Sequence, residues 1–305
     1  MVQLRLTFLG TSASVPTKLR GLSSLAVTRG AELILFDAGE GTQRAMASVN
    51  LGFNRKTKVF ITHLHGDHCI GLLGLLQTMA MLQRDKPIEL YGPSELRTFL
   101  ECNIKVLHIG PTYPILIHEV EEGLVVEERD YVVKACKTEH SADSYAYCLE
   151  EKERPGAFHP ERALELGVPE GRLWSVLQKG GRVKIGDRII LPEDVLGPKR
   201  RGRKVGISGD TRPTKKLEEF FKGCDVLVFD STYADEHAEK AVENLHSTAR
   251  EAARLAKNAD VKTLFLTHFS ARYEDPSLLV LQASEIHPDV RAAYDFLQID
   301  VPYPE

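Results

Sequence analysis

The chain has 305 residues, of which 43% are hydrophobic and 27% are charged, and its formal net charge at pH 7 is −4. This composition is typical of a globular protein, excludes fibrous and wholly disordered classes, and gives no overall attraction to nucleic acid. No apolar run approaches the length of a membrane span, and the first residues follow a strand pattern without the layout of a signal peptide. The five cysteines are scattered and odd in number, which favours reduced thiols, so we expect a cytoplasmic protein without a membrane partner.

Apolar runs that end in a polar residue on a turn recur along the chain, and they alternate with helical stretches. The polar residues that follow such runs are Asp37, His63, His140, Asp210, Asp230 and His268. The predicted helices cover residues 72–82, 94–100, 215–221 and 240–256. Strands that alternate with helices indicate a layered α/β fold, and side chains at strand ends are where such folds place their chemistry.

The segment Thr-His-Leu-His-Gly-Asp-His at residues 62–68 concentrates four potential metal ligands on one loop. These ligands are His63, His65, Asp67 and His68. Imidazole nitrogens and carboxylate oxygens suit zinc, with manganese or iron as alternatives. His63 and His65 can share one side of a strand end, whereas Asp67 and His68 follow the turn and point elsewhere. This division favours a site for two adjacent metals over a site for one metal. Such a cluster of ligands also counts against a surface loop that is merely polar.

His140, Asp210 and His268 complete the candidate metal site, because each follows a strand-like run. Seven ligands are too many for one tetrahedral zinc, so the favoured assignment has two metals bridged by Asp210. The other ligands of the first metal are His63, His65 and His140. Those of the second metal are Asp67, His68 and His268. Two such metals activate water and neutralise charge on a phosphodiester, but the ligands alone do not choose among phosphodiester, thioester, lactone and β-lactam hydrolysis.

Residues 151–204 depart from the alternation of strands and helices and contain eight glycines and five prolines. They carry thirteen Lys and Arg against eight Asp and Glu, a net charge of +5, whereas the rest of the chain carries −9. A short basic run is usually a solvated loop, but its contrast with an acidic remainder favours a polyanionic ligand such as RNA. The predicted RNA contacts in the final run are Lys199, Arg200, Arg201, Arg203 and Lys204.

The HxHxDH loop, followed by a later His, Asp and His, resembles the metallo-β-lactamase superfamily. Five further motifs are similar to those of one family within it, ribonuclease Z, which matures the 3′ ends of tRNA precursors. They lie at residues 8–16, 36–43, 140–156, 208–211 and 246–253. Ala38 stands where that family commonly has Cys. The resemblance runs from about residue 4 to about residue 272, and jointly the motifs are specific.

The resemblance implies a four-layer αβ/βα sandwich, in which residues 1–305 form a single metallo-β-lactamase-like domain and residues 151–200 form an inserted, protruding arm that binds tRNA. It also implies two zinc ions per chain and a homodimer. In the arm, Arg172 stands at a Gly-Pro-containing tip where Pro is usual, and it adds a positive charge that can face RNA.

The resemblance also assigns catalytic roles. It places Asp67 beside the attacking water as well as on a metal, and it makes His246 a candidate acid for the departing 3′ oxygen. Asp230, where the family often has Glu, would hold the His246 imidazole. Without the motif, His246 would be interpreted as a helix-cap or core histidine. Asp37 is expected to support a ligand or form a turn rather than bind metal itself.

These observations predict a zinc-dependent endoribonuclease that cleaves the 3′ trailer from tRNA precursors. Metal-activated water would attack the phosphodiester and leave a 3′-hydroxyl on the tRNA. One alternative is a hydrolase of the same scaffold that acts on a small ester, lactone, thioester or cyclic nucleotide, and the basic insertion counts against it. Another is an RNA- or zinc-binding protein with a silent site, which the complete set of seven ligands disfavours. A related exonuclease would need a further inserted domain.

Overall fold

A computed structural model describes residues 2–304 as two compact units. The first unit comprises residues 2–150 and 204–302, and the second comprises residues 151–203 together with residues 303 and 304. The strands, in chain order, are β1 Leu4–Gly10, β2 Ser24–Arg29, β3 Glu32–Phe36, β4 Lys56–Phe60, β5 Ile88–Gly92, β6 Ile115–Glu119, β7 Gly123–Glu127, β8 Tyr131–Lys137, β9 Tyr145–Glu151, β10 Val183–Ile185, β11 Arg188–Ile190, β12 Lys204–Ile207, β13 Val226–Asp230, β14 Thr263–Thr267, β15 Val290–Ala292 and β16 Gln298–Asp300.

Helices connect these strands, and a short 3₁₀ turn, Asp235–His237, follows β13. The α-helices are α1 Thr42–Ser48, α2 Gly66–Cys69, α3 Gly71–Met81, α4 Glu95–Val106, α5 Pro160–Glu165, α6 Arg172–Gln178, α7 Pro192–Val195, α8 Lys215–Phe220, α9 Ala238–Glu243, α10 Ala249–Asn258 and α11 Ser277–Ser284. In the described residues no helix is long and apolar enough to cross a bilayer.

The first unit contains two seven-stranded mixed sheets. The first sheet has the strand order β16-β1-β2-β3-β4-β5-β6, and β3 to β6 run parallel to one another. The second has the order β15-β14-β13-β12-β9-β8-β7, and β12 to β15 run parallel. Strand β13 is buried along its whole length, as expected for a parallel strand that is covered on both faces.

The two sheets pack face to face, and helices cover their outer faces. The core between the sheets includes Phe8 and Phe60 of the first sheet with Tyr147 and Phe265 of the second. A second core joins α1, α3 and α4 to the first sheet, and a third joins α8, α10 and α11 to the second. The layers therefore follow the order helix, sheet, sheet, helix, which confirms the predicted four-layer α/β class.

One predicted helix is wrong. The pattern over residues 240–256 indicates a single helix, but the structure divides it into α9 and α10. Leu245 has φ of 56°, which interrupts helical backbone. Helix α10 then begins at its own cap. The Thr248 hydroxyl accepts a hydrogen bond from the Glu251 amide, and the Glu251 carboxylate accepts one from the Thr248 amide. The interruption leaves His246 on the loop between the two helices.

The second unit has its own small core. It combines α5, α6 and α7 with the β10–β11 hairpin around Ala163, Leu177 and Ile190. Trp174 packs against Phe158 in a tilted arrangement with ring centroids 5.1 Å apart, and its indole N–H donates to the Val168 carbonyl at 3.0 Å. The inserted part of this unit runs to residue 203, three residues beyond the predicted boundary at residue 200. Whether this segment is an arm that binds tRNA stays a prediction.

Candidate metal centre

The predicted ligands lie just beyond the carboxyl ends of strands in both sheets of the first unit. His63 follows β4, Asp210 follows β12 and His268 follows β14 directly. Asp67 and His68 both lie on the short helix α2, directly after the loop that carries His65. Such strand ends are where layered α/β folds place their sites, and here they bring all seven predicted ligands together in two groups.

The first group contains His63, His65, His140 and Asp210, whose potential ligand atoms all lie within 4.8 Å of one another. The Nδ1 atom of His65 is 3.0 Å from Nε2 of His63 and 3.2 Å from Nε2 of His140. Asp210 Oδ2 is 3.7 Å from His63 Nε2 and 4.0 Å from His140 Nε2. Three nitrogens and one carboxylate oxygen form a donor set that suits zinc.

The second group contains Asp67, His68, His268 and the same Asp210. Asp210 Oδ2 lies 3.2 Å from His68 Nε2 and 3.3 Å from His268 Nε2. Asp67 Oδ2 lies 3.4 Å from His268 Nε2 and 3.6 Å from His68 Nε2. One Asp210 oxygen thus faces both groups, as the predicted bridging role requires.

In three of the histidines, one ring nitrogen is hydrogen-bonded on the side away from the centre. The other ring nitrogen therefore faces the centre. His68 Nδ1 lies 2.7 Å from Asp37 Oδ2, and His140 Nδ1 lies 3.1 Å from the Leu245 carbonyl oxygen, so each Nδ1–H can donate outward. His268 Nδ1 lies 2.9 Å from the Thr232 hydroxyl, which itself donates to Asp230. In each of these rings Nε2 keeps its lone pair for a metal.

Thr62 gives His63 the same arrangement. Its hydroxyl lies 2.9 Å from His63 Nδ1 and donates to Asp37 Oδ2 at 2.9 Å, so His63 Nδ1–H can donate to it. Asp37 therefore contacts His68 directly and reaches His63 through Thr62, an arrangement compatible with the predicted supporting role. Sequence reasoning missed Thr62 and Thr232, although both are hydroxyl residues next to a strand end that carries a candidate site residue. His65 differs from the other rings because it presents Nδ1 rather than Nε2 to the centre.

Two residues at the centre adopt left-handed backbone. Asp37 and His268 both have φ of 61°, which is unusual for residues with a side chain. The hydrogen bonds of Asp37 to Thr62 and His68 and of His268 to Thr232 offset this strain. Backbone strain of this kind concentrates at functional sites, where the surrounding structure holds it in place.

The carboxylates of the centre act most strongly on His68. Burial lowers the pKa of His68, but Asp210 and Asp37 outweigh it and raise that pKa well above its ordinary value. Burial raises the pKa of the Asp210 carboxyl, but His268 and His68 outweigh it and hold that pKa well below its ordinary value. Burial lowers the pKa of His63 and of His140, so these rings favour the neutral form that binds a metal. Neutral imidazoles beside an anionic carboxylate form a donor set that fits the predicted metals.

Two of the three predicted catalytic residues form a pair beside the metal ligands. Asp230 Oδ2 lies 2.9 Å from His246 Nδ1, and its carboxylate accepts the amides of Thr211 and Thr232. Burial lowers the pKa of His246, but the charge and hydrogen bond of Asp230 outweigh it and raise that pKa to about 9. His246 is therefore protonated at neutral pH. The Arg212 guanidinium donates to the His246 carbonyl, a support that the sequence did not reveal.

Asp67 is the third predicted catalytic residue. Its Oδ2 accepts the Ser14 amide at 2.8 Å, so the loop at residues 8–16 supports this carboxylate. Burial raises its pKa, but the contact with His268 outweighs it, and the net shift is downward. Asp67 is therefore ionised over the physiological range.

The structure corrects two of the predicted RNA contacts. Arg203 is buried, and its guanidinium contacts both carboxylate oxygens of Glu151 at 2.7 Å. Lys204 begins β12 in the first unit, where its ammonium donates to the carbonyls of Phe220 and Lys222. Both cations are held inside their own unit rather than offered to a ligand. The remaining predicted contacts, Arg172, Lys199, Arg200 and Arg201, are exposed.

Comparisons with known proteins agree on the family of the chain. A family described as "Anti-Pycsar protein Apyc1" matches residues 4–152, and one described as "Beta-lactamase superfamily domain" matches residues 190–269. The ribonuclease Z of Nitrosopumilus maritimus is 50% identical over 298 residues, covering 98% of this chain and 100% of that protein. The ribonuclease Z of Myxococcus xanthus is 46% identical over 308 residues, covering 99% of each.

A solved structure extends this similarity. The crystal structure of the short form of human tRNase Z is 30% identical, with a TM-score of 0.72 over 98% of this chain and 99% of that one. Three observations lead to one conclusion. They are the four-layer fold, the clustered His and Asp residues at its strand ends, and sequence similarity to ribonuclease Z proteins over the full length of the chain. This chain belongs to the ribonuclease Z family, within the metallo-β-lactamase fold.

Proposed function

We propose that this tRNA 3′-processing endoribonuclease uses two metal ions, preferably zinc, to cleave the tRNA precursor. The ions would be held at the two groups of residues that share Asp210. The observation that carries the proposal is the single Asp210 oxygen that lies 3.2–4.0 Å from ring nitrogens of both groups. His63, His65 and His140 would hold one ion, and Asp67, His68 and His268 the other. Ions bound there supply Lewis-acid activation of water and neutralise charge on the phosphodiester.

The residues of the chain account for the proton transfers. Water attacks phosphorus, and the bond from phosphorus to the 3′ oxygen of the tRNA breaks, so the trailer keeps the phosphate. Asp67 is ionised and can orient the water or accept its proton. His246 is protonated, and its Nε2–H can donate to the departing 3′ oxygen while Asp230 holds Nδ1. The tRNA then ends in a 3′-hydroxyl.

The exposed cations of the second unit support RNA as the substrate. Arg172, Lys199, Arg200 and Arg201 would contact the phosphate backbone, because a metal centre binds only the scissile phosphate and cannot hold a whole tRNA. The enzyme would work in the cytoplasm, where its substrate is found.

A homodimer is the proposed assembly. Two apolar residues near the end of α3, Met81 and Leu82, are 78% and 58% exposed, and Val106 and Leu107 at the end of α4 are 73% and 54% exposed. Apolar surface of this kind marks protein contacts. Light scattering during gel filtration should give a molar mass twice that of one chain. The double variant Met81→Glu with Val106→Glu should have the molar mass of one chain. A parental protein of single-chain mass would contradict the dimer.

Cleavage of a transcribed tRNA precursor tests the function. We expect one cut after the discriminator base, with a 3′-hydroxyl on the tRNA and a 5′-phosphate on the trailer. A control transcript with the same trailer but a scrambled tRNA body should remain uncut. Degradation from the trailer end, or equal cutting of the control, would argue for another nuclease activity.

A further inference from the structure

Tyr303 lies outside every motif that identifies the family, yet it occupies a specific place in the second unit. Its ring centroid is 4.1 Å from the guanidinium carbon of Arg154 and 3.9 Å from that of Arg203. The neighbouring Pro304 is buried, and its carbonyl oxygen accepts the Arg154 guanidinium at 2.9 Å. Two cations on one aromatic ring form a strong contact for a single side chain.

The two arginines belong to the two segments through which the chain enters and leaves the second unit. Arg154 lies in the entering segment, residues 151–155, and Arg203 lies in the leaving segment, residues 199–203. The segments are paired by backbone, since the Glu151 amide donates to the Arg203 carbonyl at 2.9 Å. The amides of Arg154 and Arg200 also donate to each other's carbonyls, at 2.9 and 3.0 Å. Tyr303 thus contacts both segments of this short backbone ladder.

The leaving segment also carries the exposed basic run. Arg200 is bonded through its backbone to Arg154, and its Nε donates to the Pro155 carbonyl at 3.2 Å. The Lys199 side chain is 76% exposed and only loosely paired with Glu153, at 3.7 Å. Hence the segment that presents these cations also carries Arg203, whose guanidinium lies over the Tyr303 ring.

We propose that Tyr303 is a positioning residue for precursor binding, because its ring holds Arg154 and Arg203 together and so fixes the leaving segment that carries Lys199, Arg200 and Arg201. This proposal rests on the proposed function of that basic run. Fixing the segment before RNA arrives spares the entropy that ordering it would cost on binding. Tyr303 therefore acts on substrate affinity and leaves the chemical step alone.

The test compares Tyr303→Ala with Tyr303→Phe, which keeps the aromatic face. Tyr294→Ala is the matched control, because Tyr294 is 61% exposed and lies outside the second unit. Three quantities are measured on each metal-loaded protein: hydrogen exchange of peptides covering residues 151–155 and 199–203, kcat and KM on a tRNA precursor, and hydrolysis of bis(p-nitrophenyl) phosphate.

We expect Tyr303→Ala to speed exchange in both segments and to raise KM for the precursor, each by about tenfold, the equivalent of two modest cation–π contacts. Its kcat and its hydrolysis of the small phosphodiester should match the parent, and Tyr303→Phe and Tyr294→Ala should behave as the parent in every respect. Unchanged KM in Tyr303→Ala, or equal loss of both hydrolytic activities, would overturn the proposal. If the parent leaves the precursor uncut, the proposed function fails, and unchanged exchange in Tyr303→Ala would then overturn the positioning role separately.

Discussion

Asp230 Oδ2 and His246 Nδ1 lie 2.9 Å apart, and this contact joins a strand end of the second sheet to the loop between α9 and α10. The other oxygen of the Asp230 carboxylate accepts a hydrogen bond from the Thr232 hydroxyl, which also lies 2.9 Å from His268 Nδ1. Asp230 thus serves the imidazole proposed as the acid and, through Thr232, a proposed metal ligand. Changes at His246 and at Asp230 should therefore have separable consequences.

Replacing His246 by Ala should slow precursor cleavage by about a hundredfold or more, the usual size of a general-acid contribution. The variant should keep its metal, because His246 is not among the seven proposed ligands. Single-turnover rates and metal content measure the two effects. His237→Ala is the control, since His237 contacts Tyr273 rather than the ligands. Cleavage at the parental rate would make His246 a structural loop residue.

Replacing Asp230 by Asn should move the alkaline limb of the rate profile to lower pH. In the parent, Asp230 raises the pKa of His246 to about 9, so the imidazole stays protonated below that pH and loses its proton above it. Without the carboxylate charge, burial is opposed only by the smaller effect of Asp210, so the pKa of His246 falls and the acid is lost at lower pH. Single-turnover rates across the neutral and alkaline range measure the shift. Asp235→Asn is the control, and identical profiles for parent and Asp230→Asn would remove His246 as the titrating acid.

Reversing the charge of Arg200 and Arg201 to Glu should weaken precursor binding and make it less sensitive to salt. Each lost phosphate contact should lower the slope of log affinity against log salt by about 0.7–0.9. Hydrolysis of a small phosphodiester should not change. Arg129→Glu is the matched control, because the Arg129 side chain is 96% exposed and lies in the first unit. A slope equal to that of the parent would show that these arginines do not contact RNA.

Arg203→Ala should act on stability instead. It removes the guanidinium that neutralises the buried Glu151 carboxylate, and breaking a buried ion pair costs about 3–5 kcal/mol. In chemical denaturation, the second unit should unfold at a lower denaturant concentration than in the parent. The double variant Arg203→Met with Glu151→Leu should recover most of the lost stability. If Arg203→Ala unfolds as the parent does, the buried pair contributes little to that unit.

The residues that cluster at the candidate metal centre could be predicted from sequence because their signals are local. Four of them share seven consecutive residues, and His140, Asp210 and His268 each follow a recognisable strand. The four-layer class follows from the alternation of strands and helices, and the motifs at residues 8–16 and 246–253 identify the family.

Other features depend on contacts between distant residues, which periodicity does not encode. The ring nitrogen that His65 presents is fixed by His63 and His140, and the amide that supports Asp67 comes from Ser14. Likewise, the burial of Arg203 requires Glu151, some fifty residues earlier in the chain. A basic run in a sequence does not reveal which of its cations the fold has already paired.

The central claim is that cleavage requires two metals bridged by Asp210, and a metal titration tests it most directly. Metal-free protein is given increasing zinc, and bound zinc per chain is measured together with single-turnover cleavage of a tRNA precursor. Cleavage should stay low up to one bound ion and rise toward about two per chain, as expected for a two-metal hydrolase. Asp210→Ala should bind fewer ions and stay inactive, because both groups lose their shared ligand. Full cleavage at one bound zinc per chain would contradict the account.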